Sequence, residues 1–194
     1  MTPDPNGRIY FDNAATTPLD SDVFEAMLPY LQGCFGNPSS LYSYGREARL
    51  AVETARKSVA SCLGVRSSAL VFTSGGTESN NMAIASAVRE LGCTHILYSP
   101  TEHHAVLHTV EHYGDGATVT RSELRLLEEG AIDLEHLANE LVEQQALGRK
   151  CLVCIMHANN ETGMVADLVK IGKICRDFGA VFFRIAYRRS GIIR

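Results

Sequence analysis

The amino-acid sequence predicts an α/β fold in which a mostly parallel sheet is covered by helices on both faces. Strand-like apolar segments alternate with helix-like amphipathic segments along the chain, and this alternation is typical of parallel sheets. The 194 residues are 45% hydrophobic and 21% charged, a composition typical of globular proteins that bury a sizeable core. No internal repeat or low-complexity segment interrupts this pattern.

Helices are predicted where apolar residues recur at spacings of three and four. These segments are 20–31, 46–63, 78–91, 103–112, 134–147 and 169–178. Strands are predicted at short apolar segments, which are 70–73, 95–98, 117–121, 151–156 and 180–183. Ligands of such sheets bind at the carboxyl ends of strands, so the loops that follow strands are the candidate functional loops.

Charge and hydropathy disfavour a nucleic-acid-binding or membrane-spanning protein. The formal net charge is -4, whereas nucleic-acid-binding domains are usually basic. No apolar run approaches the roughly 18 residues that a membrane span requires. The N-terminal residues also lack the pattern of a secretory signal. We therefore expect a cytoplasmic chain with reduced thiols.

Two of the six cysteines, Cys151 and Cys154, have the C-x-x-C spacing that can indicate a metal or redox site. They lie inside an apolar segment that is predicted to be a buried strand. Residues three apart on a strand point to opposite faces of the sheet. We therefore expect neither a disulfide nor a shared metal ion between them, and we predict no metal site.

The loop after the first predicted strand reads Thr-Ser-Gly-Gly-Thr-Glu-Ser-Asn-Asn at 73–81, with two glycines before a predicted helix. Backbone N–H groups at a helix N-terminus favour phosphate, and Thr77 and Ser79 add hydroxyl donors. Neither a Walker loop nor the dinucleotide fingerprint is present. A phosphate-binding turn and a plain strand-to-helix turn capped by Ser and Thr both account for this segment.

Two further loops carry polar clusters after predicted strands. His103 lies in Thr-Glu-His-His at 101–104, where an imidazole either faces solvent at a helix start or serves a ligand as a stacking ring or acid–base group. Asn160 lies in the segment 157–163, which suits either an amide contact to a ligand or an Asx-type turn closed by Gly163. Together the three loops offer a phosphate-binding turn, a flat imidazole ring and an amide, and a phosphorylated aromatic cofactor would use all three.

The sequence resembles the class V aminotransferase-like, pyridoxal-phosphate-dependent cysteine desulfurases and selenocysteine lyases. The matching stretches, in the family's order, are 10–18, 35–40, 72–80, 101–103 and 156–163. The resemblance covers about residues 8–183, roughly the first half of a full-length member. It implies an incomplete large domain of the aspartate-aminotransferase-like fold of pyridoxal-phosphate-dependent transferases. The implied divisions are an N-terminal segment of the small domain at 1–14, a partial cofactor-binding large domain at 15–183 and an aberrant tail at 184–194.

The resemblance implies roles for four residues toward the cofactor. Gly76 and Thr77 would bind the phosphate of pyridoxal 5′-phosphate. His103 would stack over the pyridine ring and is the catalytic residue that the resemblance assigns within this sequence. Asn160 would hydrogen-bond the phenolic oxygen of the cofactor.

The resemblance also places Asn13, Ala14 and Asn37 near the substrate. Tyr42 stands where many members carry His and where others, including selenocysteine lyases, carry Tyr. The tyrosine at this position therefore fits either cysteine or selenocysteine as the substrate.

The implied reaction converts L-cysteine to L-alanine and leaves the sulfur on the enzyme as a persulfide for iron–sulfur cluster assembly or tRNA thiolation. Implied partners are a second copy of the chain, as in the family's homodimers, and a sulfur acceptor or iron–sulfur scaffold protein. No nucleic-acid or membrane partner is expected.

The sequence departs from the family beyond residue 183. The family requires Asp at 185, Gln at 188, a Schiff-base lysine in a Ser-x-His-Lys stretch and a mobile-loop cysteine. This sequence has Ile185 and Arg188 and contains no Ser-x-His-Lys stretch. A shift of reading frame near codons 182–184 would restore the Asp and Gln, so we expect a frameshift that truncates the chain before the lysine. Such a chain would be unable to attach the cofactor covalently, and we expect it to be inactive and to aggregate or be degraded.

Alternative interpretations are a selenocysteine lyase homologue, a non-catalytic module that binds phosphate or pairs with a full-length family member, and a pseudogene product without function.

Overall fold

The computed structural model describes residues 7–11, 16–116 and 118–185. The chain divides into two compact units, with the division between Phe72 and Thr73. Each unit is described by itself below. Among the described residues, no helix combines the length and the apolar character that crossing a membrane requires.

The first unit contains two helices, α1 (Ser21–Gln32) and α2 (Ser43–Leu63), followed by a single 3-10 turn at Ser67–Ala69. The carboxylate of Asp20 caps α1 by accepting the backbone N–H groups of Asp22 and Val23. Gly64 ends α2 in the left-handed region at φ 65°, as its position after the last apolar residue predicts. Both helices therefore confirm the sequence prediction, although α2 begins three residues earlier.

A tight turn at 36–40 packs against the start of α2. A Cβ on Gly36 would lie 2.2 Å from the backbone oxygen of Tyr44, and one on Gly45 would lie 2.5 Å from that of Ser40. The Arg49 side chain donates to the backbone oxygen of Pro38 at 2.8 Å. Glycine is thus required at 36 and 45 by the close approach of the two backbones.

The strand predicted at 70–73 is wrong, because these residues form no strand. A strand needs a hydrogen-bonded neighbour, and no described strand pairs with this segment. Its backbone instead bonds locally: the Leu70 N–H donates to Ser67, and the Leu70 oxygen accepts from the Arg56 guanidinium at 2.7 Å. The same guanidinium lies 4.7 Å from the centre of the Phe72 ring, in cation–π contact.

The second unit alternates helices and strands, as the sequence predicts. Its helices are α3 (Gly76–Arg89), α4 (His104–Gly114), α5 (Leu134–Ala146) and α6 (Leu168–Asp177). Its strands are β1 (His95–Tyr98), β2 (Thr120–Glu123), β3 (Cys151–Cys154) and β4 (Val181–Phe183). Element ends differ from the predictions by up to three residues.

The four strands form one parallel sheet in the order β2-β1-β3-β4. The chain runs from β1 outward to β2 and then returns past β1 to β3 and β4. The order therefore reverses between β1 and β3, which makes this pair the topological switch point, where such folds bind ligands at the carboxyl ends of the strands.

Apolar cores lie on both faces of the sheet. Ile84 of α3 and Val106 of α4 pack on the face that includes Leu152, whereas Leu137 of α5 packs on the face that includes Val153. The predicted three-layer arrangement, with helices on both faces of a parallel sheet, is therefore confirmed.

The alternation of side chains along β3 also confirms the prediction for the C-x-x-C pair. Cys151 belongs to one core and Cys154 to the other, and both are buried free thiols. No disulfide joins them.

Candidate functional site

A cavity of about 300 Å³ lies at the carboxyl ends of β1 and β3. We call it the switch-point cavity. Residues 100–104 and Leu107, which follow β1, line one side, and residues 159–162, which follow β3, line the other. His103 and Asn160, which the sequence places in different loops, therefore border one cavity at the switch point.

His103 is the N-cap residue of α4. Its ring Nδ1 accepts the backbone N–H of Ala105 at 3.1 Å. A side chain that caps a helix is fixed in rotation, and a fixed ring is what stacking on a flat ligand requires. The cap and the predicted stacking role are therefore compatible in one half-buried residue.

Each of the two adjacent asparagines after β3 suits one of the two interpretations of this loop, the Asx-type turn or the ligand contact. The Asn159 Oδ1 accepts the N–H groups of Glu161 at 2.9 Å and Thr162 at 2.8 Å, which is the expected Asx-type turn, and Gly163 closes it at φ 74°. Asn160 is exposed and borders the cavity. The turn therefore belongs to Asn159, and the predicted ligand contact stays with Asn160.

Two hydrogen bonds made by side chains join the loops at the switch point among the described residues. The Asn159 Nδ2 donates to the backbone oxygen of Thr101 at 2.9 Å. One residue further along, the Glu102 Oε1 accepts the backbone N–H of Met156. We call this pair of bonds the loop clamp, because it joins the loop after β1 to the loop after β3.

Glu102 is an unusual residue in this clamp, because its side chain is 5% exposed. Its second carboxyl oxygen, Oε2, has no hydrogen-bond partner among the described residues. Burial raises the pKa of Glu102 to about 7, and the hydrogen bond from Met156 acts in the opposite direction.

The glycine-rich turn at the start of α3 is exposed between residues 74 and 78. Gly75 is the N-cap and provides no capping side chain, so no side chain caps the backbone N–H groups of the first turn, and Glu78 is the acidic residue of that turn. Nothing lies within 4 Å of a Cβ placed on Gly75. The Glu78 carboxylate accepts both the N–H and the hydroxyl of Ser74 at 2.6 Å. The Ser74 hydroxyl and then its N–H lower the pKa of Glu78, so it is ionised.

Gly76 and Thr77 lie at this helix start and are not among the residues that line the switch-point cavity. The helices that carry the two places are joined, because the Thr109 hydroxyl of α4 donates to the Asn81 Oδ1 of α3 at 2.6 Å. The predicted phosphate-binding residues therefore begin α3, and the predicted ring-stacking residue caps the neighbouring helix α4.

Of the predicted substrate-side residues, Asn37 is among those that the structure describes. Asn37 belongs to the first unit, where its Oδ1 accepts the N–H of Ser39 at 2.9 Å. Asn13 and Ala14 lie outside the described residues. Among the described residues, no group of three or more His, Cys, Asp or Glu side chains is placed to hold a metal ion.

Ile185 stands where the resemblance expects an aspartate. It is 9% exposed and packs in the core that contains Cys154 and Met156. Its backbone oxygen accepts the N–H of His157 at 3.0 Å, so the chain continues alongside β3 beyond the end of β4. Arg188 lies outside the described residues.

The model of the class V aminotransferase family matches residues 9–184. The chain belongs to this family. Class V aminotransferases and the cysteine desulfurases that match the chain are pyridoxal-phosphate-dependent enzymes.

Similar proteins agree with this membership. A cysteine desulfurase IscS of Dictyoglomus turgidum is 42% identical over 191 residues, which cover 96% of this chain and 46% of that protein. A cysteine desulfurase of Nostoc sp. is 43% identical over 187 residues, which cover 95% of this chain and 45% of that protein. The chain spans about half the length of the curated relatives it matches.

Solved structures of family members share the fold. A NifS-like protein superposes with a TM-score of 0.82 at 32% identity, over 92% of this chain and 49% of that chain. A structure described as SspA in complex with cysteine superposes with a TM-score of 0.79 at 32% identity, over 91% of this chain and 50% of that one.

Sequence reasoning missed the role of Glu102 and the division of labour between the asparagines. The signal for Glu102 was an acidic residue soon after a short strand predicted to be buried, since charged side chains are rarely buried without a partner. No sequence signal distinguishes Asn159 from Asn160, because both follow the strand and both residue types suit either role.

Proposed function

We propose that this class V aminotransferase chain forms the cofactor-binding part of a pyridoxal-phosphate-dependent cysteine desulfurase, with L-cysteine as the substrate. The observation that carries the proposal is the meeting of His103 and Asn160 at one cavity at the switch point. The names of the similar proteins support the reaction, and a family structure described as a complex with cysteine supports the substrate class.

The residues present fit the phosphate and ring of the cofactor. The first turn of α3 offers uncapped N–H groups and a glycine N-cap with open space above it, which is the chemistry that holds a phosphate. The switch-point cavity supplies a fixed imidazole and an exposed amide. Pyridoxal phosphate supplies, when bound, a conjugated ring that withdraws electrons from the bond to be broken.

In the proposed site the chain's own residues bind the cofactor and orient it. The N–H groups of Gly76 and Thr77, with the Thr77 hydroxyl, would hold the phosphate at the positive end of the α3 dipole. The His103 ring would stack on the pyridine ring, and its cap to Ala105 would keep it in that orientation. Asn160 would donate its amide N–H to the phenolic oxygen.

Two features limit what this chain does by itself. Ile185 cannot hold a proton on the pyridine nitrogen, as a carboxylate at that position would. The lysines are Lys57, Lys150, Lys170 and Lys173, none in the Ser-x-His-Lys stretch that the resemblance requires. We therefore propose that residues 1–194 bind and orient the cofactor without forming the covalent link to it.

The proposal extends to a cytoplasmic location, to pairing with a second copy of the chain, and to delivery of sulfur to an acceptor or iron–sulfur scaffold protein. The resemblance supports the pairing and the sulfur delivery, and the relatives named IscS support the latter.

The test is a binding titration with pyridoxine 5′-phosphate, which lacks the aldehyde and so cannot be trapped by a lysine. We expect saturable binding that His103→Ala and Asn160→Ala each weaken, and far weaker binding of pyridoxine without phosphate. The reduced conjugate of pyridoxal phosphate with L-cysteine should bind more tightly than the conjugate with L-leucine. Equal binding of all four ligands, or no loss in either variant, would contradict the proposal.

A further inference from the structure

Glu102 is a buried carboxyl that the proposed function leaves without a role. Glutamate is almost never fully buried unless it is paired with a positive charge. No salt bridge to Glu102 is found among the described residues, and its Oε2 is buried without a partner. A leucine or methionine would fill the same space without the cost of removing a carboxyl from water.

The hydrogen bonds around Glu102 form a continuous connection from β1 to β3. The Ser99 N–H donates to the oxygen of Cys154 at 3.1 Å, and the Glu102 N–H donates back to Ser99 at 3.2 Å in a turn. The side chain of Glu102 then reaches Met156, which directly continues β3. The carboxyl is thus held from both strands that bound the switch point.

The loop clamp acts on the two ligand-binding candidates through their immediate neighbours. Glu102 precedes His103 in the chain, and Asn159 precedes Asn160. The bonds Glu102–Met156 and Asn159–Thr101 therefore fix the two residues that flank the candidates, one on each side of the cavity. Loss of either bond would loosen one wall of the cavity against the other.

We propose that Glu102 is a positioning residue that sets the separation of His103 and Asn160 across the switch-point cavity. The proposal rests on the proposed function for its ligand, but the clamp can also be observed without a ligand. Glu102 acts through its backbone contact and its position, not by touching the substrate.

The carboxyl has a second consequence for ligand binding, because its charge varies near neutral pH. Its pKa of about 7 makes it neutral in acid and ionised above pH 8. Facing or neighbouring titratable groups are the Cys154 thiol from β3, His103 and His104 from its own loop, and Glu161 from the opposite loop. Burial keeps the Cys154 thiol neutral by raising its pKa. An ionised Glu102 therefore adds a negative charge beside a cavity proposed to take an anionic ligand.

The test compares Glu102→Ala and Glu102→Gln with the matched control Glu161→Gln, which removes an exposed carboxyl from the rim of the same cavity. The probe is pyridoxine 5′-phosphate. Glu102→Ala should lower the affinity about tenfold at pH 6, the equivalent of one hydrogen bond. Glu102→Gln keeps an oxygen that can accept from Met156 and should restore the affinity. The Glu161→Gln control should change it less than twofold.

A pH profile separates positioning from a purely structural role. Above pH 8 Glu102→Gln should bind more tightly than the natural chain, because it lacks the negative charge that Glu102 gains there, while the two should agree at pH 6. Equal pH profiles for the natural chain and Glu102→Gln, together with unchanged affinity in Glu102→Ala, would overturn the proposal.

Backbone hydrogen exchange keeps the test decisive if the natural chain does not bind the probe. The Met156 N–H should exchange faster in Glu102→Ala than in the natural chain, and the NMR signals of His103 and Asn160 should both move. They should stay unchanged in Glu161→Gln. If the probe does not bind but these shifts appear, the proposed function is contradicted and the clamp is supported. If the probe binds but the shifts do not appear, the clamp is contradicted and the proposed function is supported.

Discussion

The sheet of the second unit buries His95 at its amino end, and the loop at its carboxyl end buries Glu102. Each side chain has one atom without a partner, His95 Nε2 and Glu102 Oε2. His95 Nδ1 lies 2.6 Å from the Thr120 hydroxyl of the neighbouring strand. Burial, with the positive charge of Arg149, lowers the pKa of His95 to about 4, so that ring is neutral at pH 7.

The two ends differ in what surrounds these buried groups. The amino end also has a cavity, of about 270 Å³, lined by Arg149, Lys150 and Cys151 among others, and burial raises the pKa of Cys151 to about 11. Its buried groups therefore stay neutral and unreactive near pH 7. The carboxyl end combines a group that titrates near neutrality with a fixed imidazole and an exposed amide. Burial of titratable groups alone therefore does not make a candidate ligand-binding site. The polar side chains of the loops that follow the strands are also required.

The largest expected effect is on the pH dependence of stability, in which the two ends oppose each other. His95 binds a proton more readily in the unfolded chain, so its contribution makes the free energy of unfolding rise with pH between about 4 and 6.5. Glu102 binds a proton more readily in the folded chain, so its contribution falls with pH between about 4.5 and 7. Each contributes at most about 1.4 kcal/mol per pH unit.

Urea unfolding of His95→Gln and Glu102→Gln at several pH values separates these contributions. Between pH 4.5 and 6.5, the slope of stability against pH should be more negative in His95→Gln than in the natural chain. In Glu102→Gln the slope should be more positive. Slopes that do not change in opposite directions would contradict the opposite contributions assigned to His95 and Glu102.

The second effect distinguishes the neighbouring asparagines at the carboxyl end. Asn159→Ala removes its bonds to Thr101, Glu161 and Thr162 and should lower the free energy of unfolding by about 2 kcal/mol. Asn160→Ala changes an exposed residue and should alter it by less than about 0.5 kcal/mol. Thermal or urea unfolding measures both, and equal destabilisation by the two variants would contradict the assignment of the turn to Asn159.

A third effect concerns the two roles of His103. His103→Ala removes the N-cap of α4 and should cost about 1 kcal/mol of stability while also weakening pyridoxine 5′-phosphate binding. His103→Asn is the matched control, because asparagine is a good N-cap without an aromatic ring. We expect it to restore stability but not affinity. Recovery of affinity in His103→Asn would show that the ring does not stack on the ligand.

The smallest effect is expected from thiol reagents applied to the native chain. Cys62 is exposed and Cys34 is half-buried, whereas Cys93, Cys151, Cys154 and Cys175 are buried. Only the first two should be labelled before denaturant is added, since burial keeps the other four as neutral thiols. Rapid labelling of Cys154 in the folded chain, followed by mass spectrometry, would show that the core beneath the switch-point cavity is open.

The sequence was sufficient for the elements whose signals are local. Periodicity predicts the helices, and alternation predicts that Cys151 and Cys154 face opposite cores. The segment 70–73 failed because strand formation depends on a neighbour, which no local pattern reveals.

For the candidate site, the residue types and loop positions predicted His103 and Asn160, and the topology then showed that both border one cavity. Glu102 escaped prediction because its importance comes from burial and from a bond to Met156, 54 positions away in the chain. The roles of the site residues toward a ligand all stay predictions, as do the domain divisions at 14 and 183. These residues are Asn13, Ala14, Asn37, Gly76, Thr77, His103 and Asn160.

The most direct test of the central claim is to locate pyridoxine 5′-phosphate on the chain by NMR. Binding should shift the backbone signals of Gly76, Thr77, His103 and Asn160 together, with a single saturation curve. The amino-end cavity is the natural rival, because Arg149 and Lys150 would attract any phosphate. Shifts confined to residues 145–151 and 178–179 would contradict the account, because they would place the ligand at the opposite end of the sheet.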